Sequence, residues 1–145
     1  MPDFADLLPA ETASAAETLA LGRRLAERLG PGDVLALRGD LGAGKTHLAK
    51  GVAAGLGIDP DAVTSPTFTI VQEHDGGRLP LLHLDLYRIE SDAELARLGL
   101  DELLDGDAVA LVEWPERGGG WLPEHAVWLR LSHAGGDRRR VETGG

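Results

Sequence analysis

Eight consecutive residues, Gly39-Asp40-Leu41-Gly42-Ala43-Gly44-Lys45-Thr46, limit the folds open to this chain more than any other stretch. They match the phosphate-loop pattern G-x-x-x-x-G-K-[ST] at every fixed position, with an apolar run before them and a helical pattern after. A polyphosphate requires backbone N–H groups turned inward around an anion. Glycines at 39, 42 and 44 let the chain take the sparsely allowed angles that aim them. A helix starting directly after the loop adds its unsatisfied amides and the positive end of its dipole. Lys45 supplies a mobile cation for the outer phosphates, and Thr46 offers a hydroxyl to magnesium, a hard cation that favours oxygen ligands. The chain holds only two lysines, and one stands where the pattern requires it.

A chain of 145 residues suits one domain, 1–145, with room for a real core. Its net charge of −10 opposes independent binding to nucleic acid, which needs a basic face to displace counterions. Any such role must run through a partner. Cysteine is absent, which excludes disulfides, thiolate catalysis and cysteine zinc sites, and a reducing cytoplasm suits the composition. The N-terminus carries Asp3 and Asp6 without the basic and apolar regions of a signal peptide, and no run approaches membrane-spanning length.

Taken in order, residues 1–13 are weakly patterned and are expected to be partly loose. Ser14 and Glu17 form a capping box, Leu21, Leu25 and Leu29 repeat at helical spacing, and Gly30-Pro31-Gly32 ends the segment. Val34-Leu35-Ala36-Leu37 then reads as a central strand buried on both faces, leading straight into the phosphate loop. The helix beyond, His47 to Leu56, contains Gly51 and Gly55, each costing about 1 kcal/mol relative to alanine; close packing and simple tolerance both account for them. Phe68 to Glu73 and Leu81 to Ile89 read as strands joined by the turn Asp75-Gly76-Gly77, so the second returns antiparallel and the sheet is mixed.

That returning strand places Leu82, Leu84 and Leu86 on a core face and His83, Asp85 and Tyr87 on a polar one. The polar face is either a solvent side or the nucleotide side, where Asp85 would position water or magnesium. Ser91 and Glu94 repeat the capping box. Ala108 to Val112 is a second apolar run, ending in Glu113. In open α/β sheets ligands bind beyond the carboxyl ends of parallel strands, which puts Glu113 where magnesium is expected, with Glu in place of the commoner Asp. Trp114 either stacks near the nucleotide or caps the core. Gly118-Gly119-Gly120 reads as a flexible loop, Val127 to Leu131 as a late strand, and Arg138 to Val141 as its hairpin partner, with Arg138, Arg139 and Arg140 expected on a solvated edge, the alternative being reach to a phosphate or a partner's acidic surface.

Four stretches together, GDLGAGKT at 39–46, SPTF at Ser65 to Phe68, HLDLYR at His83 to Arg88 and LVEWPE at Leu111 to Glu116, resemble the TsaE family, the small ATPase of bacterial threonylcarbamoyladenosine synthesis on tRNA. The resemblance covers nearly the whole chain. It implies a P-loop NTPase fold of the α/β class, a mixed, mostly parallel sheet flanked by helices and carrying antiparallel hairpins. It also implies ATP with Mg2+, and assembly with the TsaD and TsaB proteins, of which TsaD transfers the threonylcarbamoyl group, so that tRNA is met only through the complex. Carried onto this sequence, Gly39 to Thr46 hold the phosphates, Thr46 and Glu113 ligate magnesium, and Asp85 is needed for hydrolysis. Ser65 and Thr67 lie in a switch-like loop, Trp114 lies close to the site, and Ser14 and Ala15 lie where family members contact the base.

Phosphoryl transfer to water rests on charge neutralisation and alignment, so the cradle, Lys45, magnesium and a water-orienting group suffice. No arginine finger is evident, and hydrolysis is expected to be slow until a partner completes the site. Two other readings fit a phosphate loop: a small-molecule kinase, and a nucleotide-gated binding module without useful turnover. A GTPase fits poorly, because guanine is usually read by an Asn/Thr-Lys-x-Asp motif and the only lysines are Lys45 and Lys50.

Overall fold

The computed structural model describes residues 2–39, 44–64 and 71–144. Seven strands form one sheet: β1 (Ala10–Thr12), β2 (Val34–Arg38), β3 (Val71–His74), β4 (Leu81–Asp85), β5 (Val109–Glu113), β6 (Val127–His133) and β7 (Arg139–Thr143), in the order β1-β7-β6-β2-β5-β4-β3. The four central strands, β6, β2, β5 and β4, are parallel. Antiparallel pairs β3–β4, β6–β7 and β1–β7 extend the sheet at both ends.

Burial on both faces explains why the central strands read as unbroken apolar runs. Val34, Leu35, Ala36 and Leu37 of β2 are all 1% exposed or less. On one face Leu35, Leu37, Leu111 and Leu129 pack with the helices α1 (Ala15–Ala26) and α2 (Lys45–Gly55). On the other Val34, Leu84, Ala110 and Val112 meet Leu95 and Leu100 from α3 (Asp92–Leu98) and α4 (Leu100–Leu103).

The helix starts follow their capping residues. The Glu17 amide donates to Ser14 Oγ and the Glu94 amide to Ser91 Oγ, each at 3.2 Å, satisfying backbone donors that the first turn leaves open. At the far end of α1, Arg78 donates to the carbonyls of Ala26 and Leu29 at 2.6 and 3.0 Å. Between α1 and α2 the two glycine explanations separate. A Cβ at Gly51 would strike the Leu19 carbonyl, and one at Gly55 would lie 2.5 Å from the Ala26 Cβ. Close packing accounts for both glycines.

Several expectations change. Residues 2–13 are not loose: Phe4, Leu7 and Leu8 are buried in the α1/α2-side core, and β1 pairs with β7. Because β1 takes the outer position, β7 is an interior strand, and its arginines do not form the sheet edge. The polar side of β4 is no solvent face, since His83 is fully buried between β3 and β5. That strand also ends at Asp85 rather than Ile89. Gly118-Gly119-Gly120 sit inside a 3-10 segment, Pro115–Trp121, where Gly118 is buried against Leu86 and Leu122. The start of the strand expected from Phe68 lies outside the described residues.

The N-terminal segment is pinned by charge as well as by packing. Arg28 makes two 2.7 Å hydrogen bonds to the Asp6 carboxylate, and this pairing holds Asp6 at a pKa of about 2, below its ordinary 3.8. The contribution to stability is complete above the ordinary carboxylate value and is lost as pH falls through about 2. Asp6→Asn is therefore expected to lower the melting temperature slightly at pH 7 and to leave it unchanged near pH 2. Melting curves across that range check it, and an equal loss at both ends would remove the ion pair as the cause.

Candidate nucleotide site

Parallel strands direct their carboxyl ends one way, and the crevice beyond β2, β4 and β5 receives the side chains singled out above. Gly44 takes φ 95, a left-handed backbone that favours glycine, and α2 begins at the next residue. Lys45 is only 6% exposed, yet its Nζ has no hydrogen-bond partner among the described residues. It rests 4.4 Å above the Trp114 ring centroid. Trp114 holds that place with φ 54, the one non-glycine positive φ among the described residues, and its ring lies 4.9 Å from that of Tyr87. Trp114 packs beside the α3/α4-side core and also lines the cavity.

Asp85 and Glu113 end adjacent parallel strands and are register partners. The Tyr87 amide donates to Asp85 Oδ1 at 2.9 Å. Burial, with Glu113 adding to it, pushes the Asp85 carboxyl above its ordinary value against the opposing effects of that amide, Lys45 and His83. Glu113 is 4% exposed, and its Oε2 shares a 2.6 Å hydrogen bond with Nε2 of the fully buried His83.

These groups bound a cavity of about 420 Å3. Lys45, Thr46, Asp85, Glu113 and Trp114 line it, with Gly44 at the helix start and Ser14 and Ala15 on the α1 wall. Gly39 is not among the residues lining this cavity but lines a second, more open cleft with Arg38, Trp114 and Glu116. Asp40, Leu41, Gly42 and Ala43, with Ser65 and Thr67, lie outside the described residues.

Four lining residues were not singled out from sequence as site residues: Thr18, His47, Asp137 and Arg139. Thr18 is one turn beyond Ser14, where its hydroxyl shares a 2.6 Å hydrogen bond with Thr12 on β1. Helical spacing from Ser14 was the only signal that could have found it. Asp137 and Arg139 arrive from the β6–β7 hairpin, and a Cβ at Gly44 would lie 3.6 Å from the Arg139 Cγ. Arg139 thus faces the site, while Arg140 lies within 3.9 Å of Glu11 and 3.4 Å of Glu142 on the sheet.

Chemically the cavity combines the Lys45 ammonium, buried without a hydrogen-bond partner among the described residues, with the Thr46 hydroxyl and the Asp85 and Glu113 carboxylates, while Asp137 and Arg139 add one charge of each sign from the β6–β7 hairpin. Among the described residues no three His, Cys, Asp or Glu side chains converge on a metal site. The Thr46 hydroxyl and the Asp85 and Glu113 carboxylates are oxygen donors of the kind that magnesium takes beside its waters and substrate phosphates. No helix of the described residues is long and apolar enough to cross a membrane.

Comparison with known proteins agrees in sequence and in shape. A family model described as Threonylcarbamoyl adenosine biosynthesis protein TsaE matches residues 12–141. A Bacillus subtilis (strain 168) protein named tRNA threonylcarbamoyladenosine biosynthesis protein TsaE is 47% identical over 130 residues, 90% of this chain and 80% of its own length. The Treponema pallidum (strain Nichols) protein of the same name is 42% identical over 118 residues, 81% of this chain and 86% of its own. The crystal structure of Bacillus subtilis YdiB aligns with a TM-score of 0.78 at 40% identity, covering 94% of this chain and 83% of that one. Since the match runs from β1 through β7 and takes in every described element of the cavity, this chain belongs to the TsaE family.

Proposed function

We propose that this chain is a single-domain P-loop ATPase that serves tRNA threonylcarbamoyladenosine formation in the cytoplasm, binding and slowly hydrolysing Mg-ATP to reset a TsaB–TsaD transfer complex. The observation that carries the reading is the Lys45 ammonium, buried without a hydrogen-bond partner at the floor of the cavity. A buried unpaired cation is costly and implies an anionic ligand. In this reading Lys45 and the amides at the start of α2 bind the outer phosphates, and Thr46 and Glu113, which line the same cavity, would hold magnesium. That ion, when bound, spreads the charge developing on the transferring phosphoryl group. Asp85 orients the attacking water, and its raised pKa suits a group that accepts part of a proton. Water attacks the γ-phosphorus, the bond to the β-phosphate oxygen breaks, and ADP and phosphate leave. Ser14 and Ala15 wall the space left for the base.

The acidic surface supports indirect contact with tRNA, through the partners. Phosphate release is expected to be slow for the isolated protein and to rise on adding the TsaB–TsaD complex. Asp85→Ala and Glu113→Ala should each reduce the stimulated rate about 100-fold or more. Equal turnover with and without the complex would remove the resetting role, and undiminished release by both variants would leave a binding module without catalysis.

A further inference from the structure

Among the described residues four buried side-chain polar atoms lack a hydrogen-bond partner. One is Lys45 Nζ in the cavity. The other three, His83 Nδ1, Gln72 Oε1 and His74 Nε2, all lie on two paired strands, β3 and β4. Register puts Gln72 opposite His83 and His74 opposite Leu81, so the three side chains share one face of the sheet, in line with Asp85. Burial holds the His74 imidazole below its usual pKa, with the neighbouring His83 adding to that shift.

His83 therefore has one nitrogen committed to Glu113 and the other buried without a partner among the described residues, on a residue paired in register with Gln72 of β3. A terminal carboxylate torsion is soft, and among the described residues His83 is the side chain that hydrogen-bonds the Glu113 carboxylate at the end of its strand. The 2.6 Å bond fixes Oε2 and leaves the second oxygen to the cavity that Glu113 lines. An imidazole can hold a carboxylate this way only if its own ring is held, and three orphaned atoms on one face can satisfy one another through a single shared water.

We propose that His83 is the positioning residue for Glu113, anchored at Nδ1 from the edge strand by Gln72 and His74 through a bound water. The proposal rests on the hydrolytic reading above. It makes the geometry of a site carboxylate depend on β3, the outermost strand of the sheet. A histidine that merely fills the core would influence stability without a preference for turnover over binding.

Three readouts decide it. In 15N-histidine-labelled protein at neutral pH, His83 Nε2 should carry a proton; an unprotonated Nε2 would overturn the proposal whatever the activity. With the partner complex present, His83→Leu should lower kcat about 10- to 100-fold with KM changed less than threefold. His83→Gln, which can still donate, should recover much of that loss, and Gln72→Leu should fall between wild type and His83→Leu. A kcat unchanged in His83→Leu, or His83→Gln no better than His83→Leu, would overturn it. If the wild-type protein releases no phosphate at all, the hydrolytic reading fails separately. Mn2+ binding with ADP, followed by electron paramagnetic resonance, then decides the inference: a tenfold loss in His83→Leu upholds it, and equal affinity overturns it.

Discussion

Lys45→Met is expected to cut nucleotide turnover about 100- to 1,000-fold, the usual cost of losing one preorganised charge-stabilising donor. The same substitution should leave the ligand-free protein as stable as the wild type, or more so. Lys45 is 6% exposed, and among the described residues its ammonium makes no hydrogen bond, interacts with the Asp85 carboxylate only through its field and rests 4.4 Å from the Trp114 ring. That contact returns about 1–2 kcal/mol, whereas burying an unpaired charge costs several kcal/mol. Methionine keeps most of the aliphatic length and can still lie on the indole. Opposite movements of melting temperature and activity separate a ligand-binding lysine from a structural one. Thermal melts with and without Mg-ATP give the measurement: the wild type should gain stability on adding nucleotide, and Lys45→Met should gain almost none. A variant that melts well below the wild type without ligand, yet still responds to nucleotide, would place Lys45 in the scaffold.

Features set by adjacent residues could be read from the sequence, and features set by distant ones could not. Ser14 and Ser91 cap their helices through a glutamate three residues on, a relation complete within one turn. Val34 to Leu37 and Val109 to Val112 announce strands covered on both sides because every side chain is apolar. Alternation put His83, Asp85 and Tyr87 on one face but could not tell what covers it: His83 is fully buried, Asp85 lines the cavity and Tyr87 is 48% exposed. Strand order carries the same limit. The step from β5 across β2 to β6 brings the β6–β7 hairpin beside Gly44, so Arg139 reaches the cavity from the last quarter of the chain. Glu113 lay within reach of sequence reasoning because it ends an apolar run, and Asp85 because it stands on the polar face of its strand; that Asp85 also ends the strand, in register with Glu113, was not legible.

Gly51→Ala is expected to destabilise the protein by about 2 kcal/mol or more, although alanine is the better helix former by about 1 kcal/mol. The new Cβ would meet the Leu19 carbonyl oxygen, with the carbonyl carbon at 2.9 Å and the Gly22 Cα at 3.0 Å. These are backbone atoms of α1 and cannot turn aside as a side-chain tip could. Relief requires α1 and α2 to separate, which loosens Leu21, Leu25, Leu48 and Val52 in the shared core. A loss of that size matters against a total stability of about 5–15 kcal/mol. Urea midpoints measure it, with Gly106→Ala as the control, because a Cβ there meets nothing within 4 Å. Gly22→Ala should cost a similar amount, since its Cβ would strike the Leu48 carbonyl and lie 2.9 Å from the Gly51 Cα. The double variant should then cost less than the two losses added, because one displacement of the helices makes room for both methyl groups. Full additivity would mean that the two sites relax independently and that the helices do not meet at this crossing. The same displacement would reach the nucleotide, because α1 opens with the Ser14 and Thr18 wall of the cavity and α2 opens with Lys45 and Thr46. Weaker nucleotide binding in Gly51→Ala, at a temperature where it remains folded, is the expected functional result of one methyl group more than a full helical turn from the site.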